Sequence, residues 1–190
     1  RNSSLPQRGY AIIQPRVSTA LPRATATRFS RLFTDPSGAD PYTHVVSDVY
    51  FDLFGQSSYQ GKGIYDVEIF HRLLGGRFPE SHILSHDLLE GAHVRAGLAS
   101  DIELFDEFPP NYRAYARREH RWIRGDWQIA DWATLSVPAA NGRVLNPLCA
   151  LNRGKIFDNL RRSLLAPSAI ALLLRGWFYS PGAALATSTL

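Results

Sequence analysis

From Leu164 to Ala186 the chain carries no charge except Arg175, and a helix over that stretch has about the 20 residues needed to cross a bilayer. This run constrains the fold more than any other. An apolar helix of that length is at home in lipid or deep in a core, and it is costly elsewhere. Pro167, Pro181 and Gly182 interrupt its regularity. An Arg near the centre of a span costs about 3 kcal/mol on insertion scales, less when its stem lets the guanidinium reach the headgroups. The run reads as a transmembrane segment over 164–190 in preference to a buried core helix. Ahead of it, Arg153, Lys155, Arg161 and Arg162 lie among Leu151, Ile156, Phe157, Leu160, Leu164 and Leu165. A basic face opposite an apolar one is the pattern of a helix lying on a membrane surface. Residues 134–163 therefore read as a linker and an amphipathic interfacial helix, with the basic cluster on the cytoplasmic side.

The first 133 residues have a different texture. Gly9 to Val17 is a short apolar run that reads as a buried strand ending at Gln14, because the residue before Pro15 is pushed to extended geometry. A Thr-, Arg-, Ser- and Pro-rich loop follows, with a short helix around Thr27–Phe33. An aromatic-rich segment runs from Asp48 to Phe54. Ile64 to Val67, then Phe70 and Leu73-Leu74, enter a helix that stops at Gly75-Gly76. Ile83-Leu84-Ser85 reads as a strand end, and Leu88 to Ala96 has helical spacing with Gly97 as its C-cap. Ile102 to Phe108 reads as a strand closed by Pro109-Pro110, and Tyr112 to Trp132 as the longest helix of this part. Strands alternating with helices argue for an α/β layer fold. The chain opens at Arg1 and contains no Met, so an internal piece of a longer protein is the expectation. One cysteine, Cys149, excludes an internal disulfide and a thiolate metal cage. The net charge of +4 does not force polyanion binding.

Three stretches carry candidate chemistry. In Ser81 to His93, the residues His82, His86, Glu90 and His93 share one face at helical spacing, which suits a zinc site, although the HExxH order is absent. The competing reading holds Asp87 at a strand's C-terminal end as a general base, and the plainest one makes Asp87 the cap of the next helix. In Gly61-Lys62-Gly63-Ile64-Tyr65-Asp66, two glycines around a lysine let a backbone approach a ligand closely, as an ordinary turn also would. Arg117 to Gln128 packs four Arg, two Trp, His120, Glu119, Asp126 and Gly125 into twelve residues. Guanidinium forks grip phosphate and indole faces stack on sugars or bases; on a helix, Arg118, Arg121 and Trp122 fall to one side. The plain alternative is an amphipathic helix whose Trp residues face the core.

In order along the chain, these phrases resemble the processive membrane glycosyltransferases of the cellulose-synthase type, and most of all the glycosyltransferase domain of cyclic β-1,2-glucan synthases. The similar phrases are Ile13-Gln14-Pro15-Arg16-Val17, Asp40-Pro41-Tyr42, Val46-Ser47-Asp48-Val49-Tyr50 and Gly61-Lys62-Gly63-Ile64-Tyr65-Asp66-Val67. They continue with Leu84-Ser85-His86-Asp87-Leu88-Leu89-Glu90-Gly91 and Arg121-Trp122-Ile123-Arg124-Gly125-Asp126-Trp127-Gln128. Asp87 stands where the wider superfamily's Thr-Glu-Asp motif has its base. Arg121 and Trp122 match the Gln-x-x-Arg-Trp motif, whereas Arg118 replaces its Gln.

The resemblance implies the C-terminal half of a GT-A-like nucleotide-sugar transferase fold, in which residues 1–133 form the last part of the catalytic domain. It implies inverting transfer of glucose from UDP-glucose to a growing β-1,2-glucan at the cytoplasmic face of a bacterial inner membrane. Asp87 would be the catalytic base, Arg121 and Arg124 would meet the diphosphate, and Trp122, Gly61, Lys62 and Gly63 would hold the acceptor. His86, Glu90, Asp126, Trp127 and Gln128 would support them. A divalent cation, Mg²⁺ or Mn²⁺, is implied, with its ligands outside this chain. Two other classes stay open on the residues alone. One is an Arg/Trp platform for single-stranded nucleic acid, against the expectation of no nucleic-acid partner; the other is a metal-dependent hydrolase using His82, His86 and His93.

Overall fold

A computed structural model of the chain describes residues 9–20, 27–34, 43–44, 47–79, 83, 87–139 and 142–179. The first elements are β1 (Ile12–Thr19), α1 (Arg28–Phe33), β2 (Thr43–His44), β3 (Ser47–Asp48), α2 (Val49–Phe54), β4 (Ile64–Tyr65), α3 (Val67–Leu74) and α4 (Asp87–Val94). They continue with β5 (Ala96–Asp106), α5 (Tyr112–Gln128), a 3₁₀ turn (Ala130–Ala133), β6 (Ser136–Ala139), β7 (Gly142–Leu145), α6 (Ala150–Ser163) and α7 (Leu165–Tyr179). The class is mixed α/β, as the alternating pattern predicts.

The main sheet has the order β4-β1-β5. β1 runs parallel to β5 and antiparallel to β4, while β2 pairs with β3 and β6 with β7 as small antiparallel ladders. β1 does not end at Gln14 as its sequence predicts. It continues through Pro15, because the register against β5 slips between Pro15 and Arg16, from Pro15↔Ala99 to Arg16↔Glu103. An irregularity of that kind is where a strand tolerates a residue without an N–H.

Local chemistry sets the helix ends. Thr27 and Ser30 form a capping box on α1, Asp48 caps α2, Asp66 caps α3, and Asn111 accepts from the Ala114 N–H at 2.9 Å to start α5. α4 stops at Val94 rather than beside a Gly97 cap. The left-handed residue there is Arg95 (φ 64°), whose guanidinium donates to Gly55 O at 3.0 Å and lies 5.3 Å from the Tyr10 ring centroid. Gly97 belongs to β5, where a Cβ would come within 2.9 Å of the Tyr10 ring. α5 ends at Gln128, and the expected continuation to Trp132 becomes the 3₁₀ turn, which buries Ile129 and Trp132.

Two apolar clusters hold these elements together. Ala11, Ile12, Tyr59, Leu73, Leu74, Val94 and Ala96 pack between sheet and α3. Leu88, Leu89, Ile129, Trp132, Val137, Leu148, Ile156 and Leu160 form the other, and Phe78 borders both. α4 is the joint between them, giving Leu88 and Leu89 to one cluster and Val94 to the other. Its position is thereby fixed from two sides, which matters because Asp87 is its first residue. Ile83 packs on the second cluster outside any regular element, and the remaining residues of the expected Ile83–Ser85 strand lie outside the described ones.

α6 departs from its expected form. Ile156 and Leu160 face the protein core, and Lys155, expected on a basic outer face, is buried: its Nζ donates to Gln56 O at 3.3 Å and Ser57 O at 3.4 Å and sits 4.5 Å from the Tyr50 ring centroid. Phe157 and Leu164 stay exposed. α7 leaves Leu165, Ile170, Leu172, Leu173, Leu174, Trp177, Phe178 and Tyr179 exposed. Among the described residues no helix is long and apolar enough to cross a membrane; residues 180–190 of the expected span lie outside them.

Candidate active site

The site begins with a glutamine. Gln14 of β1 is buried, and both ends of its amide are used: Nε2 donates to Ser58 O at 2.9 Å and Oε1 accepts from the Gln60 N–H at 3.1 Å. This clamp fixes the backbone that runs into Gly61. Tyr59, between the clamped residues, packs its Cβ so closely on α4 that a side chain at Gly91 would meet it at 2.5 Å. The loop and the start of α4 are therefore pressed together.

Their meeting point is Asp87. Gly61 takes φ +79°, and a Cβ built on it would lie 2.5, 2.8 and 2.9 Å from Oδ2, Cγ and Oδ1 of Asp87. The carboxylate thus lies flat against the Gly61 backbone, a contact that only glycine permits. At the next glycine of the loop, Gly63, a Cβ would meet Ile13 O at 2.5 Å. The two glycines have separate duties: Gly61 admits the carboxylate and Gly63 lets the loop lie on β1. Asp87 and Glu90 are both half-buried and both act on Tyr59. Burial first, then these two carboxylates and Tyr65, push the Tyr59 hydroxyl above its ordinary value.

Lys62 reaches the other way, to Asp106 at the C-terminal end of β5, with Nζ 2.5 Å from Oδ2. That hydrogen bond is the largest cause holding the Asp106 carboxyl below the usual carboxylate range, opposed by partial burial and helped by the Lys62 charge, the Glu107 N–H and Arg118. Arg118 stands among three rings, 4.7 Å from the Trp122 centroid, 5.4 Å from Phe108 and 5.6 Å from Tyr115. Trp122 remains 40% exposed. A connected series thus runs from the Asp87 carboxylate through Gly61, Lys62, Asp106 and Arg118 to an open indole.

The other expected residues fall into separate groups. Arg121 and Arg124 project from α5 as exposed cations. Asp126 accepts from Asn159 Nδ2 at 3.1 Å, and the Trp127 indole N–H donates to Ser163 Oγ at 3.2 Å, so both tie α5 to α6. Gln128 is half-buried at the end of α5, and His86 lies outside the described residues. Of the trio His82, His86 and His93, only His93 lies among the described residues. His93 is 1% exposed, its Nδ1 hydrogen-bonds Leu89 O at 2.8 Å, and its ring meets Phe78 edge-on; burial lowers its pKa to about 4. His82 also lies outside the described residues. Among the described residues no three His, Cys, Asp or Glu side chains converge to hold a metal ion. Gln14, Tyr59, Asp106 and Phe108 were not picked out by their sequence context as site residues, and only their long-range contacts reveal them.

No protein-family model matches the chain. It is 43% identical over 175 residues to the cyclic beta-(1,2)-glucan synthase NdvB of Rhizobium meliloti strain 1021. The alignment takes in 90% of this chain and 6% of that protein, so the chain spans only a short segment of its relative.

Proposed function

We propose that this chain, which is related to one segment of a cyclic β-(1,2)-glucan synthase, carries the base and the acceptor-holding side of an inverting glucosyltransferase. The donor is UDP-glucose and the acceptor is the growing end of a β-1,2-glucan. The observation that carries this reading is the Asp87 carboxylate held against Gly61, in a loop that Lys62 ties to Asp106 beside the Arg118–Trp122 pair. A base needs a fixed place from which to take one particular proton, and the Gln14 clamp and the two-sided packing of α4 supply it.

In the transfer, Asp87 accepts the proton of the acceptor hydroxyl as that oxygen bonds to the anomeric carbon of the donor. The bond from that carbon to the UDP oxygen breaks on the opposite face, and the configuration inverts. UDP leaves with an added negative charge, which the exposed guanidinium of Arg121, with Arg124, stabilises. Trp122 stacks on the terminal glucose, and the Gly61-Lys62-Gly63 backbone lines the acceptor subsite. A divalent cation, Mg²⁺ or Mn²⁺, would be held by residues outside this chain and would share in stabilising the leaving diphosphate. On this reading the chain is the later half of a GT-A-like domain at the cytoplasmic face of a bacterial inner membrane. α7 and the exposed residues Phe157 and Leu164 would meet the lipid.

The test is Asp87→Asn in the full-length protein. Incorporation of label from UDP-glucose into glucan should fall by at least about 10³-fold, in keeping with the loss of a general base and its precise placement, with donor binding retained. Transfer near the wild-type rate would remove Asp87 from the role of base.

A further inference from the structure

The proposed function uses Arg121 and Trp122 but leaves Arg118 without a task, although Arg118 is the better-packed cation. One turn of α5 separates it from Trp122, and its guanidinium lies within 6 Å of three ring centroids: Trp122 at 4.7 Å, Phe108 at 5.4 Å and Tyr115 at 5.6 Å. Its Nε is buried and makes no hydrogen bond among the described residues. A donor left unmatched in this way is held there by the rings rather than by an acceptor. The rings come from two parts of the chain, since Phe108 lies just past the end of β5 and the other two are on α5. The cation therefore pins the helix's indole to the strand end where Asp106 holds Lys62. A planar guanidinium can stack on several rings at once; an ammonium cannot, and an amide carries no charge to attract their faces.

We infer that Arg118 is a positioning residue of the acceptor subsite: wedged among Phe108, Tyr115 and Trp122, its guanidinium covers part of the Trp122 indole and fixes the ring so that its exposed part meets the terminal glucose of the glucan. This rests on the proposed role of Trp122 as the acceptor plate. Without the wedge the indole gains rotamer freedom that acceptor binding must remove. The sequence departure at this position, Arg where the wider superfamily has Gln, is then a change in how the same plate is held.

Acceptor binding can be measured without transfer, using membranes that bear the full-length protein and a radiolabelled β-1,2-linked gluco-oligosaccharide in the absence of donor. Arg118→Met should weaken oligosaccharide binding about tenfold, within the span a partly desolvated cation–π contact allows. Arg118→Lys should recover less than half of that loss, and the KM for UDP-glucose should stay within about twofold in both, because the donor does not touch the plate. On a Trp122→Ala background, Arg118→Met should cause no further loss, the non-additivity expected of residues that act as a unit. A merely structural role would lower thermal stability and both substrate affinities together, and would remain additive with Trp122→Ala. Unchanged binding in Arg118→Met, full rescue by lysine, additive losses, or a wild-type protein that binds no oligosaccharide would each overturn the inference. Asp87→Asn in the same membranes separates the two ideas: if it still transfers glucose, the base assignment falls while the binding ratios continue to judge Arg118.

Discussion

Gly61→Ala places a single methyl between a backbone and the carboxylate that the proposed chemistry depends on. The new Cβ would stand 2.5 Å from Asp87 Oδ2 and under 3.0 Å from its other two carboxyl atoms, where ordinary contacts begin at 3.4 Å. The loop cannot easily retreat, because Gln14 clamps residues 58 and 60 and Gly63 rests on the β1 backbone. The Asp87 side chain must give way by about 1 Å, and a misplacement of that size costs roughly 10²-fold in a positioned reaction. The left-handed backbone at φ +79° adds about 1–2 kcal/mol of strain for a residue with a Cβ. Gly76→Ala supplies the control, since Gly76 has φ +65° but nothing within 4 Å of its would-be Cβ. Both variants should lose similar stability in thermal melts of the full-length protein. Only Gly61→Ala should lose glucosyl transfer, by about 10²-fold in kcat, measured as label from UDP-glucose entering glucan. If the two variants transfer at rates within threefold of each other, the Asp87–Gly61 contact does not govern catalysis and the argument from it fails.

Gly63→Ala should be the more destabilising substitution, by about 2–3 kcal/mol, because its Cβ meets the Ile13 carbonyl, part of the β1–β4 ladder, rather than a mobile side chain; a chemical-denaturation midpoint lowered no more than that of Gly76→Ala would contradict this. Lys155→Ala should cost about 2–4 kcal/mol, since it leaves the Gln56 and Ser57 carbonyls unpaired and the Tyr50 ring without its cation, and a thermal melt reads it. His93 makes stability depend on acidity: its folded pKa of about 4 lies below the ordinary 6.5, so the fold holds it neutral. Its contribution is complete above pH about 6.5 and is lost as the pH falls from there toward 4, by up to about 3 kcal/mol. Replacing His93 with Leu should flatten that part of the stability–pH curve, and an unchanged slope would show that another group governs it.

Much of the fold could be read from short-range signals. The helix caps at Thr27, Asp66 and Asn111 and the glycine stop at Gly75 are local chemistry, and the structure uses them as such. Where local rules misled, a partner far along the chain decided the outcome. Pro15 stays inside β1 because β5 slips its register beside it. Arg95 takes the left-handed turn expected of glycine because Gly55, 40 residues earlier, and Tyr10, 85 residues earlier, engage its guanidinium. Lys155 reads by residue type as part of a basic outer face until the Gln56 and Ser57 carbonyls and the Tyr50 ring are placed next to it.

The same division runs through the candidate site. Asp87, Trp122 and the glycines around Lys62 stand out by residue type and spacing, within phrases that resemble those of the glucan synthases. Spacing alone did not tell a base from a helix cap at Asp87. What the structure adds is a long-range partner: Gly61, 26 positions earlier, has its backbone against the carboxylate. Nor did spacing separate Trp122 from Trp127, two indoles of similar exposure on one helix. The indole N–H of Trp127 is engaged by Ser163 of α6, whereas Trp122 has Arg118 over its ring. A motif of Arg and Trp therefore contains one indole tied to a neighbouring helix and one stacked with a cation of its own helix. The difference lies in the partner each indole meets, Ser163 of α6 or Arg118 of α5, and no window centred on the motif contains Ser163.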